Sequence, residues 1–153
     1  MTKRLNAAVA APEARQALLG VEAYIRGCGL EHGLIALVKM RASQINGCAY
    51  CLDMHSREAR QHGETEQRLY LLNAWRESSA YTPRERAALA WTEALTRIAE
   101  THAPDDVYAE ACRYFNEKEV ADLTVAIGMI NLWNRVSIAF RTEHILDARQ
   151  HAA

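Results

Sequence analysis

The chain has few residues that interrupt helices, because its 153 residues include only seven glycines and three prolines. Together these two residues occur at about half their average frequency in globular domains. No segment alternates between apolar and polar residues for long enough to predict a β-strand. Linkers, internal repeats and low-complexity tracts are also lacking. We therefore expect a single all-α domain over residues 1–153, built as a helical bundle of about six to seven helices.

The chain also lacks an excess of charge of either sign. Its 18 basic and 19 acidic residues leave a formal net charge of −1, so it has no basic surface typical of nucleic-acid binding. No continuous run approaches the roughly 18 apolar residues of a membrane span, and the N-terminus lacks a secretory signal pattern. We expect a cytoplasmic protein without a nucleic-acid or membrane partner. In a reducing compartment its four cysteines are more often free, catalytic or metal-bound than joined in structural disulfides.

Helix-capping residues predict where individual helices begin. Residues 82–85, TPRE, combine an N-cap threonine, a first-turn proline and a glutamate that completes a capping box. Asn116 and Glu119 have the same spacing before the last helix. The fourth predicted helix continues to Arg76 and the fifth to Thr101. The predicted helices begin near Pro12, Glu31, Cys48, Thr65, Thr82, Pro104 and Asn116.

One motif carries chemistry: two cysteines and a histidine within residues 46–55, NGCAYCLDMH. Residues three apart on a helix have Cα atoms roughly 5 Å apart, so Cys48 and Cys51 lie within the Cα range of a disulfide. His55 is four residues after Cys51 and seven after Cys48, which places all three on one helical face. These three residues are the candidate catalytic residues.

The motif also lies at the start of a helix, because Asn46-Gly47 ends the preceding one. Thiols in a first turn feel the partial positive charge of unpaired backbone N–H groups, and His55 adds a proton acceptor nearby. Both effects favour the reactive thiolate, so a redox dithiol is the favoured interpretation. Two alternatives stay open: a zinc site, which needs a fourth ligand or a water, and structural filler. Cys28 and Cys112 are expected to be small hydrophobic residues of the core.

Residues 38–51, VKMRASQINGCAYC, resemble the alkylhydroperoxidase-D-like branch of the carboxymuconolactone decarboxylase family. Residues 63–69, 82–93 and 131–135 are similar to it as well. The resemblance implies an all-helical domain that assembles as a homo-oligomer, often built on trimers or hexamers. It also implies a peroxidase in which the second cysteine attacks the peroxide and the first resolves the sulfenic acid.

Carried over to this chain, the resemblance makes Cys51 the attacking residue, Cys48 the resolving residue and His55 a member of the proton relay. The substrate would be an organic hydroperoxide. An external thiol reductant protein would reset the Cys48–Cys51 disulfide, and no metal, flavin or haem cofactor is implied. The family's decarboxylase branch acts on a lactone acid without relying on this dithiol, so the two cysteines favour the redox branch.

The chain departs from the peroxidase pattern at two positions. Ala36 stands twelve residues before the first cysteine, where the pattern has a proton-relay glutamate, and Tyr50 stands where the best-known type has a histidine. Glu58, three residues after the histidine, and Glu93, from another helix, are candidate replacements for the missing carboxylate. The leading hypothesis is a peroxiredoxin-like alkyl hydroperoxidase. The alternatives are a thiol–disulfide oxidoreductase or redox sensor with little peroxidase turnover, and a non-redox member that binds a small acid or acts as a lyase.

Overall fold

The structure, a computed structural model, describes Thr2 and residues 4–144. Within these residues it contains nine α-helices, one short 3₁₀ turn and no β-strand, which confirms the predicted all-α class. Residues 145–153 of the predicted domain lie outside the described residues. The helices are α1 (Ala7–Ala10), α2 (Pro12–Gly27), α3 (His32–Asn46), α4 (Ala49–Gln61), α5 (Glu66–Leu71), α6 (Pro83–Thr96), α7 (Ile98–Thr101), α8 (Asp105–Tyr114) and α9 (Glu117–Phe140).

Helix α3 is the central helix of the bundle. Every residue from Leu34 to Ser43 is buried, and α4, α6 and α9 all pack against it. A helix that is buried on all sides is typical of a core position. Two of its charged residues, Lys39 and Arg41, are also buried, with 7% and 6% of their surface exposed. Buried charges require partners, and these partners shape the two polar clusters described below.

Most of the hydrophobic core lies in two clusters that both include residues of α3. The larger cluster joins α3 to α2, α6, α8 and α9 and contains Val38 and Leu123. The second joins α3 to α4, α5 and α6 and contains Leu37 and Leu89. All four of these side chains are fully buried, and burying a side chain of this size contributes about 1.5–3 kcal/mol. The core therefore fixes α4 and α9 against α3.

Helix α9 is long and apolar enough, by length and composition, to cross a membrane. This corrects the expectation that no segment is apolar enough for a membrane span. The apolar residues of α9 are interrupted by polar ones, so they form no long continuous run, but the mean hydropathy of the helix is still high. Its Leu123, Ile127 and Ile130 are buried among the other helices. Packing of this kind is typical of a core helix, which passes the same length and composition test.

The predicted capping boxes are both present. Thr82 Oγ1 accepts from the backbone N–H of Glu85 at 3.2 Å, and the Glu85 carboxylate accepts from the backbone N–H of Thr82 at 2.7 Å. Asn116 and Glu119 make the equivalent pair of hydrogen bonds, at 3.0 and 2.9 Å, at the start of α9. An N-cap of this type is worth about 1 kcal/mol. Local sequence therefore determines where the two helices begin.

The fourth predicted helix ends earlier than expected. Helix α5 stops at Leu71, and the chain continues as the 3₁₀ turn Leu72–Ala74 instead of reaching Arg76 as a helix. Arg86 of α6 holds the segment that follows, because its guanidinium donates to the backbone carbonyls of residues 75, 76 and 78. Carbonyl groups that accept from a side chain do not need partners in an α-helical ladder.

The fifth predicted helix is also shorter than expected. Helix α6 ends at Thr96, and Arg97 then adopts φ −105° and ψ 36°, outside the α-helical region. Thr101 Oγ1 donates to the carbonyl of Ala94 at 2.6 Å, which satisfies a group left unpaired at the helix end. The predicted tail becomes the separate single-turn helix α7. With the other single-turn helix, α1, this raises the number of helices above the predicted six to seven.

Candidate active site

The two motif cysteines lie at the junction of α3 and α4. Gly47 ends α3 in a left-handed conformation, with φ 68° and ψ 35°, which glycine adopts without steric cost. Cys48 is the N-cap residue of α4 and has extended backbone angles. Its Sγ accepts a hydrogen bond from the backbone N–H of Cys51 at 3.4 Å. Cys51 therefore lies inside the first turn, and Cys48 lies directly before it.

The sulfur atoms of Cys48 and Cys51 lie within disulfide-bonding distance, and their Cα atoms are 5.4 Å apart. That separation agrees with the helical spacing used above and is typical of disulfides. Each cysteine is only 1% exposed. They form a small buried cluster with Ile130 of α9, and the partly buried side chains of Tyr50 and Trp133 pack against this cluster. Bulky reagents therefore have no open path to either sulfur.

A buried amide network fixes the end of α3 against α9. The side chain of Asn46 donates to Oδ1 of Asn131 at 2.9 Å and to Oδ1 of Asn134 at 2.8 Å. Asn134 is fully buried and donates in turn to Ser43 Oγ at 3.0 Å. Paired polar groups in the interior favour one arrangement of the backbone, here the turn that carries Cys48. Sequence reasoning missed these residues, whose only signal was their position in segments 38–51 and 131–135.

His55 lies one helical turn after Cys51 on α4 and is 4% exposed. Its Nδ1 is 2.8 Å from Oε2 of Glu58, so Glu58 contacts the histidine as expected. The hydrogen bond with His55 lowers the pKa of the Glu58 carboxyl to about 2. Lys39 and His62 act in the same direction through their charge, while partial burial opposes them. Glu58 is therefore ionised at neutral pH.

A pocket of about 160 Å³ lies beside the Glu58 carboxylate. Ala36 of α3 and Glu58 of α4 both line it, so the position of the missing glutamate faces the same space as the carboxylate that is present. Neither cysteine belongs to its lining. The charged and titratable groups around the rest of the pocket are Glu22, Arg26, His32, Lys39 and His62.

Glu22 connects the pocket to Trp133, which packs against the buried cluster that contains the cysteines. Its Oε2 is 2.8 Å from Nζ of the buried Lys39, and its Oε1 accepts from the indole Nε1–H of Trp133 at 3.0 Å. The Glu22 carboxylate therefore neutralises a buried cation and fixes the Trp133 ring, which packs against the buried cluster that contains the two cysteines. This link joins residues from α2, α3 and α9, and no local sequence pattern indicated it.

Glu93, the other candidate for the relay carboxylate, lies in a different cluster. Its Oε1 accepts from Nε of Arg41 at 2.8 Å and from Nε1 of Trp75 at 2.8 Å, and its Oε2 accepts from Arg76 at 2.8 Å. Burial raises the pKa of Glu93, but these hydrogen bonds outweigh it, and the net pKa is below its usual range. The structure therefore gives Glu93 a role in holding Arg41, not in contacting His55.

The remaining cysteines are separate from the motif. Cys28 is partly buried against the core, as expected, but Cys112 is exposed. The exposure of Cys112 corrects the prediction that it is a core residue. Among Thr2 and residues 4–144, no group of three or more His, Cys, Asp or Glu side chains is placed to hold a metal ion.

The sequence of the chain matches the model of a known protein family. The model of the carboxymuconolactone decarboxylase family matches residues 10–94, more than half of the chain and the part that contains the motif and Ala36. The chain belongs to the carboxymuconolactone decarboxylase family. This confirms the resemblance drawn from residues 38–51 and the neighbouring segments.

Individual relatives of this carboxymuconolactone decarboxylase family member share both sequence and fold. The uncharacterised protein YdfG of Bacillus subtilis is 41% identical over 139 residues, which cover 91% of this chain and 95% of that protein. The crystal structure of ATU0492 from Agrobacterium tumefaciens is 49% identical, with a TM-score of 0.93, and covers 95% of this chain and 100% of that one. ATU0492 is a protein of unknown function, suggested to be the antioxidant defence protein AhpD. The chain therefore has the AhpD-like fold.

The same fold also occurs in a protein with different chemistry. The debrominase Bmp8 has a TM-score of 0.77 and 22% identity, with 91% of this chain and 75% of that one covered. At that identity the likeness shows the fold alone. Because one fold supports different activities, the function of this chain has to be argued from its own site.

Proposed function

We propose that this chain is a thiol-dependent alkyl hydroperoxidase whose Cys48–Cys51 dithiol cycles to a disulfide. The observation that carries the proposal is the pair of buried cysteines, 5.4 Å apart at their Cα atoms, at the N-terminus of α4. Such a position favours the thiolate. His55, one turn further along the same helix, supplies an imidazole that can accept and return a proton.

The proposed reaction has two steps on the protein. In the first, the Cys51 thiolate attacks the terminal oxygen of an organic hydroperoxide, the O–O bond breaks, and the alkoxide leaves as an alcohol with a proton from His55. Cys51 is now a sulfenic acid. In the second, the Cys48 sulfur attacks the Cys51 sulfur, the disulfide forms and water leaves. An external thiol reductant protein then supplies two electrons and two protons to restore both thiols.

The proposal requires small-molecule access to a covered site. Both cysteines are 1% exposed, and the Tyr50 and Trp133 rings pack against the buried cluster that contains them. A small organic hydroperoxide needs only a modest shift of these rings, whereas a folded protein would need far more room. The burial of the dithiol thus supports a small substrate for the oxidising step.

Single-turnover oxidation tests the proposal. Fully reduced protein is mixed with cumene hydroperoxide, and the remaining thiols are counted. We expect rapid loss of two thiols per chain, abolished in Cys51→Ser, while Cys48→Ser accumulates a sulfenic acid. Cys112→Ser, which removes an exposed thiol outside the motif, is the matched control and should behave like the wild type. Peroxide consumption that survives Cys51→Ser unchanged would contradict the assignment.

Ala36 favours a second candidate function, a thiol–disulfide oxidoreductase or redox sensor with little peroxidase turnover. Alanine cannot transfer a proton, and general acid–base help is typically worth about 10²–10⁴-fold in rate. The same experiment separates the two functions. Oxidation by cumene hydroperoxide no faster than that of a free thiol, together with rapid exchange with a small disulfide, would favour the second function.

We further propose that the chain works in the cytoplasm, as a homo-oligomer built on trimers or hexamers, and without a metal, flavin or haem cofactor. The resemblance to the hydroperoxidase branch supports the assembly and the chemistry without such a cofactor, and a dithiol that is reset to its reduced form fits the reducing cytoplasm. Exposed apolar side chains on α9, Val125 and Ile138, provide surface that a second copy would bury. Sedimentation equilibrium of the reduced protein gives the number of subunits, and a monomer at all concentrations would contradict the assembly.

A further inference from the structure

The His55 ring is held by its contact with the Glu58 carboxylate. Its Nδ1 lies 2.8 Å from Oε2 of Glu58, one turn further along α4. His55 is almost fully buried, whereas 45% of the Glu58 side chain is exposed. The carboxylate therefore connects a buried imidazole to the pocket beside it. Cys51 lies one turn before His55 on the same helix, so Glu58, His55 and Cys51 follow one another along one face.

The charge of Glu58 determines which ring nitrogen carries the proton. With its pKa lowered to about 2 by the His55 hydrogen bond, the carboxyl is an anion at neutral pH and can only accept hydrogen bonds. The Nδ1 atom of His55 must then be the donor. In the neutral imidazole the other nitrogen, Nε2, consequently carries the lone pair.

We propose that Glu58 is the positioning residue of this site, which holds His55 as the Nδ1–H tautomer so that Nε2 exchanges a proton with Cys51. This inference rests on the proposed function of the dithiol. The Cys51 thiol gives its proton to Nε2, and the resulting imidazolium donates from Nδ1 to the Glu58 carboxylate. When the peroxide bond breaks, Nε2 returns the proton to the leaving alkoxide. Glu58 stays an anion throughout and does not itself transfer a proton.

The pocket explains how Glu58 compensates for Ala36. Both residues line the same 160 Å³ space, one from α3 and the other from α4. The carboxylate therefore comes from α4, at Glu58, and the facing position on α3 carries the small side chain of Ala36. In this arrangement the acid group lies within the same helix as the histidine it orients.

Other charged groups around the pocket favour the anionic form of Glu58. Lys39 of α3 and His62 at the end of α4 lower its pKa through their charge. Lys39 is also paired with Glu22 of α2 at 2.8 Å, and Arg26 and His32 complete the titratable lining. Arg26 and Lys39 together therefore outnumber Glu22 among the charged groups that line the pocket with Glu58.

Alkylation of Cys51 tests the inference without using peroxide. In a Cys48→Ser background, the rate of iodoacetamide addition is followed against pH, and peptide mass spectrometry reads Cys51 alone. We expect Glu58→Gln to lower the rate at neutral pH about tenfold and to move the profile upward by about one pH unit. Glu58→Asp should recover part of the loss, because it restores the negative charge.

Two further measurements complete the test. Glu66→Gln, which removes an exposed carboxylate paired with Arg60 of α4, should leave the profile unchanged. ¹⁵N NMR of the histidine ring in the wild-type protein should show a proton on Nδ1 and none on Nε2 at a pH where the ring is neutral. A Nε2–H tautomer in the wild type, or a Glu58→Gln profile that superimposes on the wild type, would overturn the inference.

Failure of this inference and failure of the proposed function give different results. If the reduced protein does not consume peroxide but Glu58→Gln still shifts the alkylation profile, the peroxidase proposal fails and the role of Glu58 stands. If peroxide is consumed and depends on Cys51, but the profile does not shift, the peroxidase proposal stands and the role of Glu58 is wrong.

Discussion

Glu58 and Glu93 are two carboxylates on helices that both pack against α3, and they differ in what holds them. Both have a pKa below the usual range. The main partner of Glu58 is a histidine, whose imidazole can both accept and donate a proton. Glu93 is held by Arg41, Arg76 and Trp75, whose side chains can only donate hydrogen bonds.

The comparison shows that a lowered pKa alone does not identify a carboxylate that takes part in proton transfer. Each shift reports only that the anion is stabilised. The partner decides what that stabilisation can do: an imidazole beside a thiol can move a proton, whereas a buried guanidinium can only neutralise charge. We therefore expect Glu93 to stabilise the fold around α3 and Glu58 to orient His55.

The largest expected effect is on stability, at Glu93. Glu93→Ala leaves Arg41, which is 6% exposed, buried without its main counter-charge. Removing one partner of a buried ion pair typically costs about 3–5 kcal/mol, so we expect a loss of that size in the free energy of unfolding measured with urea. Alkylation of Cys51 at a denaturant concentration where the variant remains folded should match the wild type.

An exposed ion pair is the control for the stability effect of Glu93→Ala. Glu66→Ala removes the partner of Arg60, and both side chains of that pair are more than half exposed. Its expected cost is about 0.5 kcal/mol or less. Should Glu93→Ala cost no more than Glu66→Ala, or should it slow the alkylation of Cys51 as much as Glu58→Gln does, the division of roles between the two carboxylates would be wrong.

Local patterns made part of this structure predictable. The capping box of Asn116 and Glu119, the glycine that ends α3 and the spacing of the cysteines all depend on residues close in sequence. The contact between His55 and Glu58, three residues apart, belongs to the same class. One turn of helix brings such residues together whatever the tertiary structure is.

Contacts between distant segments could not be predicted in the same way. Glu22 and Trp133 are separated by 111 residues, and Asn46 and Asn134 by 88. Their meeting depends on how α2, α3 and α9 cross, which hydrophobic packing sets and no single-sequence pattern encodes. For the same reason, sequence left Glu58 and Glu93 as equal candidates. Only the tertiary contacts of Arg41 with Glu93 separated them.

Moving the carboxylate from position 58 on α4 to position 36 on α3 tests whether the site needs Glu58 itself or only a negative charge in the pocket. In a Glu58→Gln background, Ala36→Glu supplies the carboxylate from α3 instead of α4, into the space that both positions line. Glu58→Gln alone is expected to slow the alkylation of Cys51 about tenfold. We expect the double variant to react at least about threefold faster than Glu58→Gln. Circular dichroism confirms that the variants are folded.

The isosteric amide is the control for this exchange. Ala36→Gln in the same Glu58→Gln background fills the pocket to the same extent without adding a negative charge. A recovery by Ala36→Glu that does not exceed that of Ala36→Gln would mean that the pocket accepts a carboxylate from α4 only. The role of Glu58 would then depend on its direct bond to His55 Nδ1, not on a negative charge in the pocket.

The smallest expected effect is the pH dependence of the stability that Glu58 contributes. Its pKa falls from 4.5 to about 2 on folding, so the folded state binds its proton more weakly than the unfolded state. The contribution is therefore complete above about pH 4.5 and is lost as the pH falls toward about 2. With 45% of the side chain exposed, solvent screening limits it to about 1 kcal/mol or less.

The difference in the free energy of unfolding between the wild type and Glu58→Gln isolates this contribution, because the other titrating groups are common to both proteins. We expect the difference at about pH 3 to be less than half of that at about pH 6. A difference that stays constant, or grows as the pH falls, would show that Glu58 is not held as an anion by His55. The tautomer argument would lose its electrostatic basis, because a protonated Glu58 can donate to Nδ1 and leave the proton of the neutral ring on Nε2.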